Sequence, residues 1–251
     1  MKHTTALMVL FALSCSPAPE VPPPPPPTTP FTSSAVSSSI TSSSPEDSAD
    51  LTLAERESQV QRDAAALEPH LNTFWTRELA ARYQVPFDPP EYVSFYRGSG
   101  NRTCGTSRLA QPNNAYYCFV DASEHVAYDL TWLAEYLRTE PGGATTFLVL
   151  AHEWGHAVQD SWLEAGGRDV WVPSLRQELN ADCLAGVFLA SAIRDRTVIE
   201  EAGDAEAIWG WLFANGGGTW LNPADHGTSE QRQVAFSEGY LRGTDHCRVK
   251  Y

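Results

Sequence analysis

Positive charge is scarce in this chain: 17 Lys and Arg stand against 31 Asp and Glu, a net charge of -14 over 251 residues. With no basic cluster to offset this, nucleic acid is not expected as a partner, because phosphate binding draws on patches of Lys and Arg. Polybasic attachment to acidic lipid is equally unsupported. Long apolar runs are also missing, and the leading stretch Ala6 to Leu13 is too short to span a bilayer. The five cysteines include no C-x-x-C spacing, which argues against a cysteine zinc site. No internal repeat is present.

What the chain does have is centred on Ala144 to Asp160, ATTFLVLAHEWGHAVQD. The apolar run Phe147 to Ala151 contains no Pro or Gly and predicts a buried helix continuing through the histidines, with Thr145 or Thr146 as its cap. Residues four apart lie one above the other on a helix. His152 and His156 therefore present two imidazoles to one point, as a tetrahedral zinc ion requires. Glu153 projects about a quarter-turn away, where it can act as general base on a water held by the metal. The plain alternative is two packed or solvated histidines.

A second stretch weakens that alternative. Ser174 to Arg194, SLRQELNADCLAGVFLASAIR, predicts a helix with Ser174 and Gln177 as a capping box and an apolar stripe through Leu175, Leu179, Cys183, Val187 and Ala190. Glu178 and Asp182, four apart, lie off that stripe, where acidic side chains on a mostly apolar helix are costly unless paired or metal-bound. Glu178 is accordingly expected as the third zinc ligand. Asp182 is expected to accept a hydrogen bond from the free ring nitrogen of His152. Two histidines and a glutamate leave a fourth position to water, the pattern of a catalytic site.

HEWGH followed by ELNADC resembles the neutral zinc metallopeptidases of bacteria, and more distantly the thermolysin-like gluzincins. The resemblance runs from about Trp75 to the C-terminus and implies a mainly helical metalloprotease fold. It implies His152, His156 and Glu178 as ligands of Zn2+ and Glu153 as the base in peptide hydrolysis. Asn180 stands where the family pattern has Gln, a change expected to matter little because that position should point away from the metal. Ala157 stands where a further His is frequent.

The remaining sequence frames this domain. Met1 to Cys15 reads as a signal peptide whose Ala12, Leu13, Ser14 and Cys15 resemble a lipobox, with Cys15 as the lipidated residue; cleavage by ordinary signal peptidase is the alternative. Residues 16–50, with six consecutive prolines and a Ser/Thr-rich tract, read as a stiff and then flexible tether. Together these predict an exported, membrane-tethered protein of a bacterial cell envelope. Residues 51–251 form the catalytic domain, of α+β class: helices at Leu51 to Leu67 and Pro69 to Tyr83, a small antiparallel sheet of YVSFY, AYYCFV and HVAYDL, and further helices after Gly203 and from Ser229 to Leu241. One of the strands is expected at the cleft edge, pairing with a peptide or protein substrate.

If Cys15 is lipidated, four cysteines remain and allow three pairings. Cys104 with Cys118, across a loop joining neighbouring strands, and Cys183 with Cys247 are preferred. His226, and after it Arg232, is nominated to stabilise the oxyanion of the reaction. A His226 that merely caps the following helix is the bland alternative. The alternative to an enzyme is a surface lipoprotein using a zinc-stabilised domain as a binding module; an intact Glu153 argues against it.

Overall fold

The computed structural model describes residues 40–41, 51–99, 103–104, 108–109, 111–120, 123–139, 143–166, 174–217 and 226–251. The expected signal peptide, Cys15 and most of the tether lie outside them. Helices dominate the described residues, with a small three-stranded sheet and two short strand pairs, so the fold is α+β as expected.

The first helix, α1 (Leu53–Tyr83), is a single 31-residue element, not the two helices expected on either side of Glu68. It opens on a capping box, Thr52 accepting from the Glu55 N–H while Glu55 reaches back. Pro69 lies inside it and costs about 3 kcal/mol in an exposed helix interior. Val60, Leu67, Leu71, Trp75 and Leu79 continue one stripe across the proline at 0% exposure, each contributing about 1.5–3 kcal/mol. Burial outweighs the lost bond, and Pro69 and Ala65 both lie on the solvent side.

The sheet is ordered β2–β6–β5: β2 (Tyr92–Tyr96), β5 (Ala115–Val120) and β6 (Ser123–Asp129). Its strands are those expected, but it is mixed, not antiparallel. The hairpin β5–β6 is antiparallel, whereas β2 runs parallel to β6, Tyr92 opposite His125. Between β2 and β5 the chain makes a separate two-stranded excursion, β3 (Thr103–Cys104) with β4 (Arg108–Leu109), and β6 then returns through the middle. Strands β1 (Ile40–Thr41) and β7 (Val198–Ile199) form a short parallel pair.

The remaining helices are α2 (Leu130–Thr139), α3 (Ala144–Glu164), α4 (Ser174–Arg194), α5 (Asp204–Ala214), α6 (Ser229–Arg242) and α7 (Thr244–Lys250). Helix α3 is the central one, touching α1, α4, α5 and strand β5. Its cap is Gly143 without a side-chain hydrogen bond; Thr145 and Thr146, the expected caps, lie buried inside the first turn. Helix α4 packs on α3 and α6. Two glycines permit the second contact: a Cβ on Gly239 would fall 1.7 Å from the Cys183 carbonyl oxygen, and one on Gly186 2.2 Å from that of Phe236. Cys183 and Cys247 are disulfide-bonded, tying α7 to α4 as expected. Cys118 is also in a disulfide, while the Cys104 side chain lies outside the described residues.

Candidate metal centre

Helix α3 carries His152, Glu153 and His156, with His152 and Glu153 buried at 4% and 5% exposure. The glycine between Trp154 and His156 sets what faces them. A Cβ on Gly155 would lie 2.8 Å from Ala181 Cα and 3.0 Å from its carbonyl oxygen, so α4 crosses α3 at backbone contact. That crossing delivers Glu178 and Asp182 to the histidines.

Glu178 lies at the focus. Its Oε2 is 3.1 Å from His152 Nε2, its Oε1 is 3.7 Å from His156 Nε2, and His226 Nδ1 is 2.5 Å from Oε2. The His152 and His156 rings stand nearly perpendicular, 4.9 Å apart. Donor atoms of His152, Glu178 and His226 all lie within 4.8 Å of one another, a group able to hold a metal ion. Imidazole nitrogens with a carboxylate are the donor set zinc prefers in catalytic sites. The residues present therefore fit the ion.

Behind this group is a buried ion pair. His152 Nδ1 lies 2.8 Å from Asp182 Oδ1. Arg232 grips the same carboxylate as a fork, Nε and Nη2 donating to Oδ2 and Oδ1 at 2.8 Å each. Its Nη1 donates to the Asn215 carbonyl, and the guanidinium lies over the Trp211 ring at 4.8 Å. Asp182 is 0% and Arg232 1% exposed. Arg232 is thus already committed, and its pairing with Asp182 had no local signal in the sequence. His226 does not cap α6; Thr228 does, in a capping box with Gln231.

The electrostatics follow from this geometry. Burial works against charge on His152, but Asp182 and Glu178 outweigh it and push its pKa up to about 10. Burial likewise opposes ionisation of Glu178, and the surrounding imidazoles, His156 foremost, hold it well below the usual carboxylate range. Asp182 is held low by Arg232 and His152 against burial. Burial pushes Glu153 above its ordinary value, against the pull of His152 and His156. Both carboxylates are thus held ionised, Asp182 by Arg232 behind it and Glu178 by the imidazoles around it.

Asn180, expected to point away and matter little, is instead 5% exposed and tied into the site: its Oδ1 accepts from Gln159, and its Nδ2 donates to the Cys247 carbonyl. Gln159 in turn faces His156 Nδ1. Its position three residues after His156, on the same helical face, is the one cue by which the sequence could have shown it. His156, expected as a ligand, lies outside this metal-capable group, where His226 stands instead; His70, His125 and His246 lie outside it too. A cavity of about 170 Å³ opens onto the site, walled by Asn114, by Ala115 at the start of β5, and by Trp132, Trp211, Glu153 and His226.

The family model described as "Putative neutral zinc metallopeptidase" matches residues 31–248. The chain belongs to this family. Its cofactor is zinc, and the His–Glu–His group is where the chain can hold it. Among curated relatives, uncharacterized protein YpfJ of Escherichia coli K12 is 28% identical over 179 residues, covering 62% of this chain and 60% of the relative. Uncharacterized protein Rv2575 of Mycobacterium tuberculosis H37Rv is 25% identical over 175 residues, 61% of this chain and 59% of its own. The match thus spans about three fifths of the length of these relatives. No solved structure matches the chain significantly.

Proposed function

We propose that this member of the family is a zinc-dependent peptidase in which His152, His156 and Glu178 hold the metal and Glu153 is the general base. The observation that carries this is the convergence of both helix-borne histidines on the Glu178 carboxylate beside a buried Glu153. Ligands sharing one zinc at 2.0–2.1 Å sit about 3.3 Å apart in a tetrahedron. The 3.1 Å and 3.7 Å separations of His152 and His156 from Glu178 bracket that edge. The 2.5 Å from His226 does not; it is a hydrogen bond, which suits a donor standing beside the metal.

When bound, zinc supplies a Lewis acid that polarises a carbonyl and lowers the pKa of a water towards about 7. Glu153, its basicity raised by burial, takes the proton of the attacking water and passes it to the leaving amine. Asp182 keeps the proton of His152 on Nδ1, so that Nε2 faces the metal. His226, partly exposed in the cavity wall, is the donor for the developing oxyanion; Arg232 supports Asp182 instead. Strand β5, an edge of the sheet bordering the cavity at Ala115, offers its backbone to an extended peptide. The Cys183–Cys247 disulfide suits an exported protein, and Cys15 supplies its lipid anchor in the bacterial envelope.

The test is zinc content and casein cleavage of wild type, Glu153→Gln and Glu178→Ala. One zinc in wild type, retained with unchanged melting temperature in a Glu153→Gln protein slowed at least about 100-fold, is the expected result. Full cleavage by Glu153→Gln would refute the assignment. Zinc without cleavage in every sample would favour a binding module.

A further inference from the structure

We infer that Gln159 is a positioning residue for the metal centre, holding His156 in the tautomer that leaves Nε2 bare. The inference rests on the reading of His156 as a ligand. It follows from a chain of amide bonds, each oriented by a main-chain carbonyl that can only accept.

Asn180 comes first. Its amide lies 3.0 Å from the Cys247 carbonyl oxygen, so the atom there is Nδ2 donating. That turns Asn180 Oδ1 towards Gln159, which donates its Nε2 to it at 3.0 Å and to the Gln177 carbonyl at 2.8 Å. Both acceptors fix the orientation of the Gln159 amide. Its Oε1 therefore faces His156 Nδ1 at 3.1 Å, and that contact is a hydrogen bond only if Nδ1 carries the proton. Nε2, the atom 3.7 Å from Glu178, is left with its lone pair.

His156 is the exposed member of the helix pair, at 17% of its side chain against 5% for His152, and no carboxylate orients its Nδ1 among the described residues. A free histidine side chain prefers the proton on Nε2, the wrong nitrogen for this site. A neutral amide held from behind corrects the preference without placing another negative charge beside Glu178. The anchor of the relay is the Cys247 carbonyl, and the Cys183–Cys247 disulfide pins that residue to α4. The C-terminal helix thereby reaches the metal site through Asn180 and Gln159.

The experiment uses the full chain with 15N-labelled histidine. Long-range proton–nitrogen spectra of the metal-free protein at pH 8 report the tautomer, and chelator competition reports zinc affinity. For Gln159→Met, of similar length but without acceptor or donors, the expected result is transfer of the His156 proton towards Nε2, a zinc Kd raised about 10–100-fold, and an unchanged melting temperature of the metal-free protein. Asn180→Ala, which frees the amide one step back, should move both readouts in the same direction by less. Retention of the Nδ1–H tautomer in Gln159→Met overturns the inference whatever the affinity does, since a residue that only packs α3 on α4 would leave the tautomer alone. Wild-type affinity in Gln159→Met overturns it as well. His156→Ala separates the two levels: if it binds zinc like wild type, the ligand reading fails, whereas its loss of zinc beside an unaffected Gln159→Met defeats only the role of Gln159.

Discussion

Asp182 supports two things at once, the charge of Arg232 and the ring of His152, and substitution can separate them. Asp182→Asn keeps the shape but removes the charge, leaving a guanidinium that is 1% exposed without its counter-ion. Breaking one side of a buried pair costs about 3–5 kcal/mol. At about 2–4 °C per kcal/mol for a domain of this size, the metal-free protein should melt about 6–20 °C lower. Zinc affinity should fall about 10–100-fold, because His152 loses the carboxylate that raises its basicity. The double variant Asp182→Leu with Arg232→Met tells the effects apart. It removes both buried charges together, and such apolar replacements are often neutral or stabilising. Thermal unfolding should then recover most of the loss while zinc affinity stays low, since no carboxylate faces Nδ1 in either variant. A double variant that regains zinc affinity would refute the reasoning, as would an Asp182→Asn protein melting within about 1 °C of wild type.

Three further outcomes are expected. Gly155→Ala gains up to about 1 kcal/mol of helix propensity, but its Cβ would meet the Ala181 backbone at 2.8 Å, so denaturant unfolding should show a net loss of about 1–3 kcal/mol, with weaker zinc binding as α3 and α4 part. Asp63, 4% exposed and with Oδ2 lacking a hydrogen bond among the described residues, has its pKa pushed up to about 6 by burial, which the Gln59 bond only partly offsets. An acid with a raised folded-state pKa holds its proton longer folded than unfolded, so stability falls as pH rises from about 4 to 6 and stays lower above. Asp63→Asn should flatten that slope and stabilise the protein at pH 7–8 by about 1–3 kcal/mol in urea titrations; an unchanged slope would count against the assignment. Removing the Cys183–Cys247 bridge with a double alanine variant releases a 64-residue loop, for which chain entropy gives about 4 kcal/mol, read as a lower urea midpoint at similar slope.

The elements of the centre were legible because helical spacing is local. His152 and His156 four apart, and Glu178 and Asp182 four apart, each define one face of one helix whatever the rest of the chain does. The same local logic failed at Pro69, where a proline that breaks an isolated helix is overridden by the buried stripe from Val60 to Leu79. It failed at Asn180 too. Which way that side chain points depends on where α7 lies, and α7 is placed by a disulfide across 64 residues.

Sequence by itself therefore determined which helical faces carry His152, Glu153, His156, Glu178 and Asp182, and the α+β class, since each depends on periodicity within a single segment. Tertiary structure alone decided that β2 runs parallel to β6, that Arg232 neutralises Asp182 and that Gln159 and Asn180 stand behind His156. The contacts of Arg232 with Asp182 and of Gln159 with Asn180 join segments separated by tens of residues, on helices whose backbones glycines at 155, 186 and 239 let approach to contact distance. Absent side chains set that closeness, and their effect appears only when a second helix arrives to use the space.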